Sequence, residues 1–346
     1  MPAAAYQAVA DGVFCIDTGL YRDGLAACYL LRERDRLAVI DTGTAHTVPG
    51  LLGLIAELGL TPEHVDYVIP THVHLDHAGG AGVLMAACPN ATLISHPKGA
   101  PHLIDPAKLT AGALAVYGED AFARDFGALQ PVPEARVIAA ADGQAFELAG
   151  RPLTFIHTPG HANHHGCIFD EASGGVFTGD TFGIAYRAFD TAAGPWLFAP
   201  TTPVAFDPDA WQRSLDRLLA LEPMAAFLTH YGRLDAPAQQ VDRLRRSIRD
   251  LAAIALNHAD QPHADRAHAD RAHADRLHAD QPDIGQPQDG RKDRIKDAIT
   301  AHLLADARAL GSTLDEARMR ELLAVDLELN AQGLEVWLQR REKRGH

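Results

Sequence analysis

Short apolar runs separated by turn residues dominate the beginning of the chain. The segments GVFCID, AACYLL and RLAVIDTG are rich in Val, Ile and aromatic residues. This composition is typical of β-strands. The pattern therefore predicts that the fold begins with strands.

Helical and strand patterns alternate in the next segment. TVPGLLGLIAELGL predicts a helix, VDYVIPTH an apolar strand, and AGVLMAAC a second helix. The apolar strand runs directly into the sequence THVHLDHAGG, so a group of histidines is expected at a strand end.

A second strand-rich half is predicted from about residue 136. It contains RVIAA, AFELAG, PLTFIHTPGH and GCIFDEASGGVFTGD. The glycine pair in the last of these segments is typical of a hairpin turn.

Two amphipathic helices are expected after this half. In the first, Asp207 is a candidate N-cap and Pro208 occupies the first helical position. Its apolar face is formed by Trp211, Leu215, Leu218 and Leu219. After the strand-like AAFLTHYG, a long helix is predicted from near Ala236. Its apolar stripe is formed by Val241, Leu244, Ile248 and Leu251.

Residues 258–280 contain five copies of His-Ala-Asp at a period of five. Such a tract could chelate metal weakly. A five-residue step rotates about 500° around a helix, so successive histidines do not share one face. We interpret the tract as a linker or helix extension. Helical patterning resumes beyond QPDIGQPQDG, with a candidate capping box from Thr313 to Glu316.

Composition narrows the classes of function. The chain has 346 residues, of which 47% are hydrophobic, enough for a large core. Its formal net charge of −14 argues against a nucleic-acid partner, which attracts clustered Lys and Arg. The start has no basic stretch, and no long apolar run occurs, so we expect a cytoplasmic protein without a membrane span. The four cysteines are widely spaced and predict buried, reduced thiols.

The strongest chemical signal is THVHLDHAGG, which places His72, His74, Asp76 and His77 within six positions. Imidazole and carboxylate groups are ligands of zinc, iron and manganese. The His-x-His alternation puts two rings on one side of an extended segment. One metal cannot easily take all four groups together with further ligands, so the loop predicts a pair of metals.

Other predicted strand ends supply further candidate ligands. These are His161 in TPGHANHH, Asp180 in VFTGDTF and His230 in FLTHYG. Each lies beside a turn-forming residue.

The order and approximate spacing of these seven residues resemble the metallo-β-lactamase superfamily over roughly residues 10–255. The resemblance implies an α+β fold, an αββα sandwich with the metals at one edge. On this basis, residues 1–256 are expected to form the catalytic domain, 257–290 a low-complexity linker and 291–346 a small C-terminal helical appendage. That appendage could cap the pocket, contribute to a homodimer interface or cover apolar surface.

The resemblance also implies a ligand set. His72, His74 and His161 would hold the first metal, Asp76, His77 and His230 the second, and Asp180 would bridge them. Two divalent ions, zinc or alternatively iron or manganese, would make hydroxide available near neutral pH and stabilise developing charge. Asp76 and Tyr231 are the candidate catalytic residues, because Tyr231 puts a phenol beside a ligand.

Several neighbouring residues have alternative interpretations. Asp41 resembles an acidic residue that lies near the site in this family, and a simple turn aspartate explains it as well. His157 is interpreted as a packed or ligand-orienting residue, and His164 and His165 as structural.

The aromatic stretch after Asp180 lies where a lid would form. Tyr186, Arg187 and Trp196 are candidate substrate contacts there, and ordinary loop packing is the alternative.

These features predict a dinuclear metal-dependent hydrolase in which the metal-bridging hydroxide attacks a small thioester, ester, lactone or amide. Glyoxalase-II-like thioester hydrolysis fits the expected location better than β-lactam hydrolysis. One alternative is a persulfide dioxygenase with a single iron on His72, His161 and Asp180. Further alternatives are a phosphodiesterase and a metal-binding regulatory protein that depends on the repeat.

Overall fold

The computed structural model describes residues 4–202, 205–259 and 290–344. Most of the His-Ala-Asp repeat, from residue 260 onward, lies outside the described residues, as does most of the predicted linker.

The first half of the chain forms a seven-stranded sheet in the order β1 to β7. Its strands are β1 Tyr6–Ala10, β2 Val13–Asp17, β3 Ala27–Glu33, β4 Arg36–Ile40, β5 Val65–Ile69, β6 Thr92–Ser95 and β7 Val137–Ala139. Neighbours from β1 to β4 are antiparallel, and neighbours from β4 to β7 are parallel. The carboxyl ends of β4 and β5 therefore meet at one edge.

The second half forms a six-stranded sheet in the order β13-β12-β11-β10-β9-β8. Its strands are β8 Gln144–Leu148, β9 Arg151–His157, β10 Gly166–Asp170, β11 Gly175–Gly179, β12 Ala225–Leu228 and β13 Gly232–Asp235. The predicted hairpin is confirmed, because β10 and β11 are antiparallel neighbours. β11 and β12 are parallel, so their carboxyl ends also meet.

Eleven helices flank the sheets in the described part of the chain. They are α1 Val48–Glu57, α2 Leu75–Ala78, α3 Ala81–Ala87, α4 Ala100–Ile104, α5 Ala107–Tyr117, α6 Glu119–Asp125, α7 Pro208–Leu219, α8 Pro237–Asn257, α9 Arg291–Ala309, α10 Glu316–Leu322 and α11 Ala324–Arg344. Within the described ranges, no helix combines the length and apolar character that a membrane crossing requires.

Alternating side chains on the strands build the layers. On β3, Tyr29 and Leu31 pack between the sheets, whereas Cys28 and Leu30 pack on the opposite face together with α1 and α3 residues. This alternation is the two-residue period of a strand buried on both faces. The second sheet is covered by α7, α8 and the C-terminal helices through a large shared core. The predicted αββα sandwich is confirmed.

The two long amphipathic helices follow their predicted patterns. The Asp207 carboxylate caps α7 by accepting a hydrogen bond from the Ala210 N–H at 2.9 Å. The apolar stripe of α8 is buried from Val241 to Leu251. The predicted capping box at Thr313 is wrong, because Asp315 caps α10 by accepting from the Arg318 N–H at 2.8 Å. Asp315 directly precedes the helix and can reach its free N–H groups, whereas Thr313 lies two residues further back.

Candidate metal centre

The two sheet edges bring all seven candidate ligands together. Strand β5 ends just before His72 and His74, and α2 carries Asp76 and His77. His161, Asp180 and His230 follow β9, β11 and β12. The seven side chains form two groups, and within each group the candidate ligand atoms lie within 4.8 Å of one another. The groups are His72, His74, His161 and Asp180, and Asp76, His77 and His230.

Three imidazoles and one carboxylate converge in the first group. The His72 Nε2 and His74 Nδ1 atoms lie 2.8 Å apart. The His161 Nε2 atom lies 3.2 Å from the same His74 nitrogen and 3.2 Å from the Asp180 Oδ2 atom. These atoms surround a position where one cation would meet all of them.

The second group is built around Asp76. Its Oδ2 atom lies 3.2 Å from the His230 Nε2 atom and 3.5 Å from the His77 Nε2 atom. The other oxygen of Asp180, Oδ1, lies 3.2 Å from His77 Nε2 and 3.5 Å from His230 Nε2. Asp180 therefore presents one oxygen to each group.

Three histidines are oriented by acceptors outside the cluster. His161 Nδ1 lies 2.8 Å from the Pro200 carbonyl oxygen, and His230 Nδ1 lies 2.7 Å from the Leu25 carbonyl oxygen. His77 Nδ1 lies 2.8 Å from Asp41 Oδ2. Because these oxygens only accept hydrogen bonds, each Nδ1 carries a proton, and Nε2 is the atom that faces the cluster and would bind a metal.

Asp41 is a site residue rather than a simple turn aspartate. Its buried carboxylate accepts from the Thr71 N–H at 2.7 Å, the Thr71 hydroxyl at 2.9 Å and the Thr229 hydroxyl at 2.8 Å, in addition to His77. Its position near the site agrees with the expectation from the sequence. The two threonines gave no recognisable signal, since a buried threonine is common at strand ends.

His165 and Gly179 fix the backbone before Asp180. The Asp180 N–H donates to His165 Nε2 at 3.2 Å, and His165 Nδ1 lies 2.9 Å from the Thr158 hydroxyl. Gly179 has φ +47°, and a Cβ there would lie 2.5 Å from the Thr71 hydroxyl oxygen and 2.6 Å from His165 Nε2. A larger residue would displace Asp180 from its neighbours.

Burial keeps the three histidines of the first group neutral. It lowers the pKa of His72 well below its usual value, lowers that of His74 to about 3, and also lowers that of His161. Neighbouring histidines add to the shift of His72 and His74. Neutral imidazole is the form that binds metals.

The second group lies in a strongly negative environment. Burial disfavours a charged His77, but Asp76, Asp180 and Asp41 outweigh burial and raise its pKa well above its usual value. Burial also opposes the charge of His230, while Asp180 and Asp76 raise its pKa to about 9. These carboxylates favour a cation, and a bound metal would replace the protons that the two histidines otherwise hold.

Unpartnered buried atoms provide an independent test of fit for a metal. His77 Nε2 and Asp180 Oδ1 are buried and have no partner in hydrogen-bond geometry, although they lie 3.2 Å apart. Buried polar atoms rarely lack a partner, and a position for a bound ion is one reason why they do. Both atoms point into the cluster, so the residues present fit a divalent cation.

The cluster is accessible near Asp76 and His74. The Asp76 side chain is 26% exposed, whereas that of His77 is 0% exposed. The half-buried His164 ring stacks on His72 with centroids 6.1 Å apart, and lies 5.9 Å from the His74 ring. His157 lies apart from these contacts, with its Nε2 atom 2.9 Å from the Ala140 carbonyl oxygen.

The hydroxyl of Tyr231 has its hydrogen-bond partner outside the two ligand groups. It donates to Asp17 Oδ2 at 3.2 Å. Tyr231 and Arg187 line a cavity of about 760 Å³ together with Cys15 and Asp17. Arg187 also donates to the Arg233 carbonyl oxygen. The predicted roles of Tyr231 in catalysis and of Arg187 in substrate binding stay predictions.

Tyr186 and Trp196 are core residues that pack against the C-terminal helices. Each is 1% exposed. The Tyr186 hydroxyl donates to Asp326 at 3.0 Å, and the Trp196 Nε1–H donates to Asp306 at 2.7 Å. The Tyr186 ring centroid lies 6.5 Å from that of His230, which places it beside the second group. Loop packing is what the structure shows for both residues, and their contact with substrate stays a prediction.

Comparison with known proteins places this site in a family. The model of the metallo-beta-lactamase superfamily matches residues 21–230. The metallo-beta-lactamase fold-containing protein ST1585 of Sulfurisphaera tokodaii is 25% identical over 233 residues, which cover 65% of this chain and 79% of that protein. Its crystal structure superimposes with a TM-score of 0.57 and covers 93% of this chain and 98% of that one, at 20% identity.

Two further relatives are named as thioesterases. The human acyl-coenzyme A thioesterase MBLAC2 is 27% identical over 199 residues, or 51% of this chain. The atrochrysone carboxyl ACP thioesterase of Aspergillus fumigatus is 30% identical over 125 residues, or 35% of this chain. The chain spans 65% of the first protein and 30% of the second, less than two thirds of either. Because the family model matches more than half of the 346 residues, the chain belongs to the metallo-beta-lactamase superfamily.

Proposed function

We propose that this protein is a dinuclear metal-dependent hydrolase that cleaves acyl thioesters. The observation that carries the proposal is the position of Asp180, whose two oxygens face two adjacent groups of candidate ligands at 3.2 Å from His161 and 3.2 Å from His77. The names of the two thioesterase relatives support the choice of a thioester among the possible carbonyl substrates.

The proposed ligand set follows the two groups. His72, His74 and His161 would hold the first ion, and Asp76, His77 and His230 the second, with Asp180 between them. Bound divalent ions would lower the pKa of a water molecule and polarise a substrate carbonyl. Zinc is the ion we expect, since it accepts imidazole and carboxylate ligands without redox chemistry.

Burial disfavours a cysteine thiolate as the nucleophile. Burial raises the pKa of Cys15 and Cys88 to about 11 and that of Cys167 to about 12, and it raises the pKa of Cys28 as well. A thiol is a weak nucleophile unless it ionises. Hydroxide is therefore the better candidate to attack the substrate carbonyl.

Other residues of the chain would orient the imidazole ligands, and Asp76 would transfer a proton. Asp41 and the carbonyl oxygens of Leu25 and Pro200 hold three imidazoles with Nε2 directed into the cluster. Asp76, with its side chain 26% exposed, lies where substrate would enter, and its carboxylate could accept the proton lost by the attacking water and pass it to the departing thiolate. These are the roles in which we expect it to act.

The proposal is tested by metal analysis and a thioester assay on the same preparation. Elemental mass spectrometry on untagged protein should find two divalent ions per chain, and acyl-coenzyme A should be hydrolysed with release of free thiol. The Asp180→Ala variant should lose acyl-coenzyme A hydrolysis and at least one of the two metal ions. The matched control is His96→Ala, because His96 is buried and pairs with His157 at a ring distance of 4.1 Å outside the two ligand groups.

Other outcomes would point to other reactions. One iron per chain with oxygen uptake on glutathione persulfide would replace the hydrolase by a dioxygenase. Cleavage of a small phosphodiester without thioester turnover would indicate a phosphodiesterase, because paired metals also suit phosphoryl transfer.

A further inference from the structure

The C-terminal helix α11 contacts the loop that orients a candidate metal ligand. The His161 Nδ1 atom donates to the Pro200 carbonyl oxygen at 2.8 Å. This contact aims His161 Nε2 at Asp180 and His74, each 3.2 Å away. The position of the Pro200 carbonyl therefore determines where the ring points.

Residues 199–202 lie outside any strand, and the last β-bridge hydrogen bonds before them join Phe198 to Ile184. Pro200 has no N–H of its own to donate. Side chains from two helices supply the partners instead. The Ala199 N–H donates to the Ser247 hydroxyl of α8 at 3.0 Å.

Asn330 of α11 contacts the residues on both sides of Pro200. Its Oδ1 atom accepts from the Thr201 N–H at 2.7 Å, and its Nδ2–H donates to the Ala199 carbonyl oxygen at 3.4 Å. The Thr201 hydroxyl donates to the Asn330 backbone carbonyl at 3.3 Å. Asn330 is 1% exposed, so water cannot easily replace these bonds.

A glycine on the same helix face allows the close approach. Gly333 lies three residues after Asn330, and a Cβ there would lie 1.6 Å from the Thr201 carbonyl oxygen. Glycine in a helix interior is less favourable than alanine. Its presence at this contact fits a helix that must lie directly against the loop.

We propose that Asn330 is a positioning residue for the metal centre. It fixes Pro200, and Pro200 fixes His161. This inference rests on the proposed metal centre, and it extends that centre to a helix beyond residues 21–230, the range that matches the family model.

The expected effect is selective. Partners that orient a metal-bound histidine typically contribute tenfold to hundredfold to metal affinity. Asn330→Ala should therefore weaken binding of the zinc ion that His161 would hold, by about tenfold to hundredfold. The affinity for the other zinc ion, which Asp76, His77 and His230 would hold, should not change.

The experiment is a zinc titration of metal-free full-length protein in competition with a chromogenic chelator. Wild type, Asn330→Ala, His161→Ala and the double variant form a double-mutant cycle. If Asn330 acts through His161, adding Asn330→Ala to His161→Ala leaves the remaining zinc affinity unchanged. The matched control is Glu328→Gln, which removes the negative charge that pairs α11 with Lys292 and Lys296, each at 2.7 Å, without touching the loop.

Three results would overturn the role of Asn330. These are an affinity equal to wild type in Asn330→Ala, an equal loss in both binding steps, or a further loss in the His161→Ala background. If Asn330→Ala does not give a folded circular dichroism spectrum, the same zinc titration is made on Ser247→Ala, which removes the other side-chain contact to this loop. A weaker His161-dependent step in that variant supports the control of this loop over His161, and unchanged affinity overturns it. Wild-type protein that takes up no zinc would instead overturn the metal centre itself.

Discussion

Replacing Asp41 by Asn tests how the second group of ligands is oriented. The carboxylate accepts four hydrogen bonds, from the Thr71 N–H and hydroxyl, the Thr229 hydroxyl and His77 Nδ1, at 2.7 to 2.9 Å. An asparagine can accept on one side only. If its oxygen keeps the Thr71 N–H, its NH₂ group faces His77 Nδ1.

That arrangement changes the chemistry of His77. Two N–H donors cannot face each other, so the His77 proton would move to Nε2, the atom that points into the cluster. We expect zinc affinity of the second group to fall about tenfold to hundredfold, or about 1.4 to 2.8 kcal/mol. The loss of hydrogen bonds to a charged group should also lower the free energy of unfolding of the metal-free protein by about 1.5 to 3 kcal/mol.

The assay is zinc competition with a chelator, followed by urea unfolding of the metal-free protein. The control is Asp170→Asn, which weakens the buried pair with Arg151 at 2.6 Å and should reduce stability without changing zinc affinity. Unchanged zinc affinity in Asp41→Asn, with the expected loss of stability, would refute the argument that Asp41 sets the His77 tautomer.

Three further variants test other parts of the account. Asp180→Ala should lose thioester hydrolysis and at least one metal while its circular dichroism spectrum stays that of a folded protein. Full activity with two bound metals would contradict the proposed bridging role of Asp180. Burial raises the pKa of Asp326 to about 6, so its neutral form stabilises the fold below pH 4 and this contribution is lost as the pH rises through about 6. Asp326→Asn should remove that slope from urea unfolding measured between pH 4 and 7, and parallel curves for the two proteins would contradict it. Deleting residues 258–280 should leave metal content and hydrolysis unchanged, whereas a loss of metal would support the alternative in which the His-Ala-Asp tract binds it.

The sequence was most informative where ligands cluster locally. His72, His74, Asp76 and His77 lie within six positions, and no other function explains so many ligand-type side chains as economically. The family resemblance implied the sandwich, and the predicted pattern of strands and helices was compatible with it. Strands β1, β6 and β13 and helices α2 and α4 to α6 are not among the predicted elements. All of these except α5 are short, and α5 buries only Ala113, so its sequence has no clear apolar face.

Contacts between distant parts of the chain could not be predicted in this way. The carbonyl oxygens of Leu25 and Pro200 orient two histidines, yet every residue has a carbonyl and none marks its role in the sequence. Asn330 lies 129 residues from Thr201, and only the fold brings them together. Tyr186 was singled out as an aromatic residue of a possible lid, whereas in the structure it is buried against Asp326.

The most direct test of the dinuclear hydrolase is metal content measured together with turnover. Protein purified without an affinity-tag metal should contain two zinc ions per chain, hydrolyse acyl-coenzyme A and take up no oxygen with glutathione persulfide. One iron per chain with oxygen uptake, or thioester hydrolysis that persists after all metal is removed, would contradict the account.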